Sequence, residues 1–110
     1  MKKILIADDH QSIVDLMNTW LHDEGFVILC ARTLEEARSS SQKIKFDLVI
    51  LDDLGGGGVA LGEELHRAGQ LVLITSLKHS HQKVQKLSKP FTKQQLINKV
   101  KKLLSGPAQN

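Results

Sequence analysis

Two pairs of adjacent carboxylates each follow directly on a short apolar run: Asp8 and Asp9 after ILIA, and Asp52 and Asp53 after LVIL. The hydroxyls Thr75 and Ser76 follow another such run, and Lys89 follows a further, weaker one. Carboxylates gathered at one edge of a protein repel each other strongly unless something cationic lies between them. A lysine and a bound divalent ion would supply that charge. The donors on offer are oxygens. They suit a hard octahedral cation such as Mg²⁺, which keeps several waters and meets phosphate, better than they suit zinc.

Other residue types that often carry chemistry do not extend this set. Of the histidines His10, His22, His66, His79 and His81, the last two form a close pair in LKHSHQK. No cysteine or clustered acid accompanies that pair, so all five read as surface residues. The run Gly55 to Gly58 has no Gly-Lys-Ser/Thr after it, which argues against a nucleotide P-loop. A long, mobile connection to the helix containing LGEEL is expected there instead. Cys30 is the only cysteine, so neither an internal disulfide nor a cysteine-based zinc cage can form. Within FVILC it reads as a small buried side chain.

The elements that must position these residues alternate between strand and helix. Ile4 to Ala7, Phe26 to Cys30, Leu48 to Leu51 and Leu71 to Thr75 are apolar runs of strand length, and Val84 to Leu87 is a weaker one diluted by glutamine and lysine. Between them, Ile13, Leu16, Met17, Trp20 and Leu21 repeat at helical spacing up to Gly25. Thr33 with Glu36 and Thr92 with Gln95 have the spacing of capping boxes. Val59, Leu61 and Leu65 line a helix that stops at Gly69, and Leu96, Ile97, Val100, Leu103 and Leu104 form the stripe of a last helix ended by Ser105, Gly106 and Pro107. Unbroken apolar strands between helices indicate a parallel sheet covered on both faces. In such sheets the ligand site forms at the carboxyl ends of the strands, where the acids, the hydroxyls and the lysine fall.

The 110 residues fit one domain, 1–105, with a short tail, 106–110. Apolar residues make up 41% and charged residues 25%, the balance of a folded globular protein, and no run of about 18 apolar residues could span a bilayer. MKKILIADDH breaks off at two aspartates, which a secretory leader would not tolerate, so a cytoplasmic location is expected. The net charge of +3 owes much to Lys83, Lys86, Lys89, Lys93, Lys99, Lys101 and Lys102. Without interleaved aromatics or arginines these read as a solvated helix face, and nucleic acid is not the expected partner.

KKILIADDH, FDLVILDD, LVLITS and SKPF together resemble the signature stretches of response-regulator receiver domains, in the right order and over nearly the whole chain. The resemblance implies a flavodoxin-like, doubly wound five-stranded parallel sheet of strand order 2-1-3-4-5. It implies that Asp52 accepts a phosphoryl group, that Asp9 and Asp52 bind Mg²⁺ with Asp8 assisting through water, and that the Leu54 carbonyl completes the metal shell. Thr75 and Lys89 would contact the phosphoryl oxygens, with the Lys89-Pro90 peptide in cis to aim the lysine. The implied donor is a phosphohistidine on a sensor histidine kinase or histidine phosphotransfer protein. Such a domain catalyses its own phosphorylation and dephosphorylation rather than turning over a substrate. Physical chemistry agrees: an aspartate oxygen can attack phosphorus in line while a metal and an ammonium neutralise the transferring oxygens.

The chain departs from the family pattern in several places. Asp53 puts a second acid beside the expected acceptor, four glycines replace a methionine and proline, and Lys86 stands where an aromatic residue usually reports phosphorylation. These departures keep open a receiver-like adaptor that binds a protein partner independently of phosphorylation. A metal-dependent phosphohydrolase with an aspartate nucleophile is disfavoured, because LDDLG lacks a second acid two residues on and no cap segment encloses a substrate. With no output domain after Leu104, a stand-alone relay or switch acting on a protein target is expected. Finally, only Ser76 to Lys83 separate the fourth and fifth strands, whereas a helical crossover needs at least about 10–12 residues. The usual fourth helix should therefore be absent or vestigial, and the usual dimer surface replaced by a lysine-rich face.

Overall fold

The structure is a computed structural model that describes residues 1–75 and 84–106. Five strands, β1 (Lys3–Ala7), β2 (Val27–Ala31), β3 (Leu48–Leu51), β4 (Val72–Ile74) and β5 (Gln85–Lys86), form one sheet in the order β2-β1-β3-β4-β5. All neighbouring pairs are parallel. Four helices accompany them among the described residues: α1 (Gln11–His22), α2 (Leu34–Lys43), α3 (Gly58–Arg67) and α4 (Lys93–Ser105). The expected doubly wound sheet and its strand order are present. The expectation of a lost fourth helix falls on 76–83, outside the described residues, as do His79 and His81.

β3, β4 and most of β1 are apolar and buried because helices cover both faces of the sheet there. Side chains alternate across a strand, so Leu5, Ala7, Val49, Leu51, Val72 and Ile74 pack on one face with Ala37 and Leu61, from α2 and α3. Ile4, Ile6, Leu48, Ile50 and Leu73 pack on the other with Met17 and Leu21 of α1 and Leu96, Ile97 and Val100 of α4. The buried stripe of α1 is Val14, Met17 and Leu21, rotated from the sequence expectation, which leaves Leu16 47% exposed.

Both capping signals operate, one of them in a changed form. Thr92 and Gln95 make a complete box at α4. At α2 the Thr33 hydroxyl accepts from the Glu36 amide, but the Glu36 carboxylate accepts from Arg32 N at 2.7 Å instead of closing the box on Thr33.

Two expectations fail on local geometry. Cys30 is exposed, because it lies on β2, an edge strand with one uncovered flank. The glycine run is a tight junction rather than a long connection: a 3₁₀ turn at Leu54–Gly56 leads directly into α3 at Gly58. Leu54 and Gly55 there have φ of 51° and 77°, the left-handed region that favours glycine. A Cβ on Gly58 would lie 1.9 Å from the Asp52 carbonyl oxygen, so close approach, not looseness, requires that glycine.

Candidate functional site

The sheet ladder runs one residue past the ends of three strands. Asp8 N donates to Ala31 O at 3.1 Å, Asp52 N to Ala7 O at 2.8 Å, and Thr75 N to Leu51 O at 2.8 Å. The backbones of Asp8, Asp52 and Thr75 are thereby fixed like strand residues at the carboxyl edge, and all three residues are buried. Burial of two carboxylates in one place demands a counter-charge. Lys89, beyond β5 and before the cis peptide to Pro90, provides it. Its ammonium donates to Asp8 Oδ2 at 2.9 Å and to Asp52 Oδ1 at 2.8 Å. The other Asp52 oxygen accepts from the Leu54 amide at 3.2 Å.

These contacts set the charge state. Burial by itself would push the Asp52 carboxyl up, but the Lys89 ammonium and the Leu54 and Asp53 amides outweigh it and hold the group below the ordinary aspartate value. Burial likewise works against the Lys89 ammonium, yet hydrogen bonds to Asp52 and Asp8 raise it above the ordinary lysine value. At neutral pH the pair is a carboxylate and an ammonium.

Asp53, the competing acid, is exposed; its carbonyl accepts from Gly56 N and Gly58 N and so shapes the turn. Asp47 lies at the opposite end of the sheet, where its carboxylate accepts from Lys3 N at 2.7 Å. Thr75 joins the site through its backbone, and its hydroxyl lies 3.5 Å from the Leu51 carbonyl, a long contact.

His10, expected at the surface and exposed there, also borders the site. Its Nδ1 lies 2.9 Å from Asp8 Oδ1 and 3.1 Å from Asp9 Oδ1. The hydrogen bond to Asp8, then the charges of Asp8 and Asp9, raise its pKa above the ordinary histidine value. The signal was its place directly after the acid pair. Asp8 Oδ1 also accepts from His10 N, so this acid binds the turn before α1 rather than capping the helix itself.

One ligand atom from each of Asp8, Asp9, Asp52 and His10 falls within a 4.8 Å cluster. Three carboxylates against one lysine leave an excess of two negative charges, which a divalent cation would neutralise. The donors are mainly carboxylate oxygens, so they fit Mg²⁺. Beside this cluster opens a groove of about 590 Å³. Asp9, Asp52 and Lys89 line one end, and Ile13, Leu16, Trp20 and Phe91 give it apolar walls. Of these walls, Ile13, Trp20 and Phe91 also pack against the core face that holds Met17.

The family model of the response regulator receiver domain matches residues 4–101. Regulatory protein VanR of Enterococcus faecium is 29% identical over 111 residues, covering 90% of this chain and 48% of its own length. Protein PetR of Rhodobacter capsulatus is 26% identical over 113 residues, covering 92% and 48%. The chain thus spans about half the length of these curated relatives. Among solved structures, a CheY-like response regulator receiver domain protein from Methanospirillum hungatei superposes with a TM-score of 0.84 at 26% identity, over 96% of this chain and 94% of that one. The response regulator TrrA of Thermotoga maritima, in complex with Mg²⁺-BeF, gives 0.84 at 28% identity, over 94% and 99%. No helix among the described residues is long and apolar enough to cross a membrane. Matched over most of its length and wound in the same strand order, the chain belongs to the response regulator receiver domain family.

Proposed function

We propose that this receiver domain accepts a phosphoryl group on Asp52 from a phosphohistidine, as part of a two-component phosphorelay in the cytoplasm. The observation that carries this reading is the buried, ionised Asp52 held by Lys89 at 2.8 Å. An Asp52 oxygen attacks phosphorus in line, the bond from phosphorus to the donor imidazole nitrogen breaks, and the imidazole leaves with the electron pair. Lys89 then pairs with a phosphoryl oxygen, and the Thr75 hydroxyl donates to another. Asp8, Asp9, Asp52 and the Leu54 carbonyl would hold Mg²⁺, which when bound supplies positive charge to the transferring oxygens. Water later cleaves the aspartyl phosphate and resets the domain. The Mg²⁺-BeF complex of TrrA supports the reading by similarity.

The partner is a sensor histidine kinase or histidine phosphotransfer protein. A protein donor must place its histidine at Asp52, and the groove walled by Ile13, Leu16, Trp20 and Phe91 offers it apolar surface to bury at that point. Lys86, partly buried on β5 where an aromatic readout is usual, favours a second reading in which the fold binds its target without phosphorylation. Amide NMR with Mg²⁺ and beryllofluoride separates the two. Shifts centred on Asp52, Thr75 and Lys89 are expected, and an unchanged spectrum at saturation would favour the adaptor.

A further inference from the structure

The three carboxylates of the candidate ion site are not equally secured. Asp8 is held by Lys89 and by the His10 amide, and Asp52 by Lys89 and the Leu54 amide. The Asp9 side chain is 49% exposed, with His10 Nδ1 beside it, so its place depends on how its main chain is held. There Arg32, directly after β2, reaches across to the turn between β1 and α1. Its Nη2 donates to the Asp9 carbonyl at 3.2 Å, and its Nη1 donates to the Gln11 side-chain oxygen. Gln11 is itself held by Asp15 at 2.7 Å, and Arg32 N by Glu36.

We propose that Arg32 is a positioning residue for metal binding: its guanidinium bridges the Asp9 carbonyl and the Gln11 side chain, and so holds the turn from which Asp9 reaches the ion. This rests on the reading of Asp8, Asp9 and Asp52 as a Mg²⁺ site. Arg32 reaches the two acceptors from separate nitrogens, Nη1 and Nη2, held in one rigid plane, whereas a lysine would have to reach both from a single point on a flexible stem. Charge and geometry have opposite signs here. A guanidinium near a cation site repels the cation, so loss of charge alone would tighten Mg²⁺ binding. Loss of the bridge frees the Asp9 turn and weakens it.

The test is titration of MgCl₂ into metal-free wild type, Arg32→Met and Arg32→Lys, monitored by the fluorescence of Trp20, which lines the same groove as Asp9 and Asp52. Arg32→Met should bind Mg²⁺ about three- to tenfold more weakly, below the roughly 10–100-fold for outer-shell partners that bond a ligating side chain, because Arg32 is exposed and bonds the Asp9 main chain. Arg32→Lys, which keeps the repelling charge but loses the fork, should bind no better than Arg32→Met. Before any metal is added, the Asp9 and His10 amide resonances should move in both variants while the melting temperature holds. Unchanged or tighter Mg²⁺ binding in Arg32→Met, beside a wild type that binds, overturns the proposal alone. A wild type that does not respond to Mg²⁺ overturns the ion-site reading and this proposal with it.

Discussion

Lys89 Nζ donates to Asp52 Oδ1 at 2.8 Å although 37 positions separate the two residues. The same ammonium holds Asp8, so one cation satisfies two buried carboxylates. Its removal has a two-sided consequence. In Lys89→Met the uncompensated acids should attract Mg²⁺ more tightly than in wild type, while the response to beryllofluoride is lost because the phosphoryl oxygens lose their cation. Isothermal titration with MgCl₂, with and without beryllofluoride, reads both arms; weaker Mg²⁺ binding would contradict the charge argument.

The same pair should shape stability against pH. The Asp52 pKa is depressed on folding, so its contribution is present above the unfolded carboxyl value of about 3.9 and lost as pH falls through the folded value. The Lys89 pKa is raised, so its contribution is present below the unfolded value of about 10.4 and lost as pH rises through the folded value. Urea unfolding should show a stability difference between wild type and Lys89→Met that shrinks as pH falls, beginning above the unfolded carboxyl value of about 3.9 because burial without Lys89 raises the Asp52 carboxyl. A difference that grows in acid would reverse the assigned signs.

Burial separates the two adjacent acids more sharply than sequence does. Asp52→Ala should abolish labelling by a small phosphodonor, and Asp53→Ala should leave it within about twofold, as expected for an exposed side chain on the lining of the groove. Phosphate recovered on Asp53 by peptide mapping would move the acceptor by one residue.

Gly58→Ala should destabilise the fold by about 1–3 kcal/mol or more, since the added methyl collides with the Asp52 backbone. Gly62→Ala should cost less. Its nearest obstacle, at 2.7 Å, is the terminal methyl of Ile74, which can turn away. Chemical denaturation of both variants gives the order, and equal losses would contradict the close approach at Gly58.

Leu16→Glu should slow phosphotransfer from a phosphohistidine protein by about tenfold or more, as loss of a central apolar contact does at interfaces. Labelling by a small phosphodonor should be unaffected, because Leu16 is exposed and touches no reacting group. Equal slowing with both donors would place the fault in the chemistry and not in docking.

The sheet and its functional edge were legible because parallel strands covered on both faces read as unbroken apolar runs, and the residues directly after each run lie at the carboxyl edge. That reasoning puts Asp8, Asp9, Asp52 and Thr75 at the edge, whereas Lys89, two residues past the weak run Val84 to Leu87, is marked by SKPF as part of the family resemblance. It could not place Arg32 on the Asp9 turn, since that contact joins two loops 23 residues apart with no periodicity to mark it. The α1 stripe is visible in the sequence, but which part of it is buried depends on how the helix meets its neighbours, so Leu16 belongs to the stripe and yet is exposed. The glycine run misled because glycine serves both slack loops and crowded junctions, and only the distance from Gly58 to Asp52 tells them apart.

Among the described residues, the last strand joins the sheet through two residue pairs, Leu73 with Gln85 and Ile74 with Lys86, reinforced by Leu87 N on Ile74 O at 2.9 Å. It is nonetheless the strand that delivers Lys89. Local opening costs least where few backbone bonds secure an element. The counter-ion of the acid cluster is therefore carried by the most weakly laced part of the sheet, while the acids ride on its best-laced strands. A partial excursion at this rim would withdraw the positive charge and leave the carboxylates in place, changing the electrostatics of the pocket without unfolding the domain.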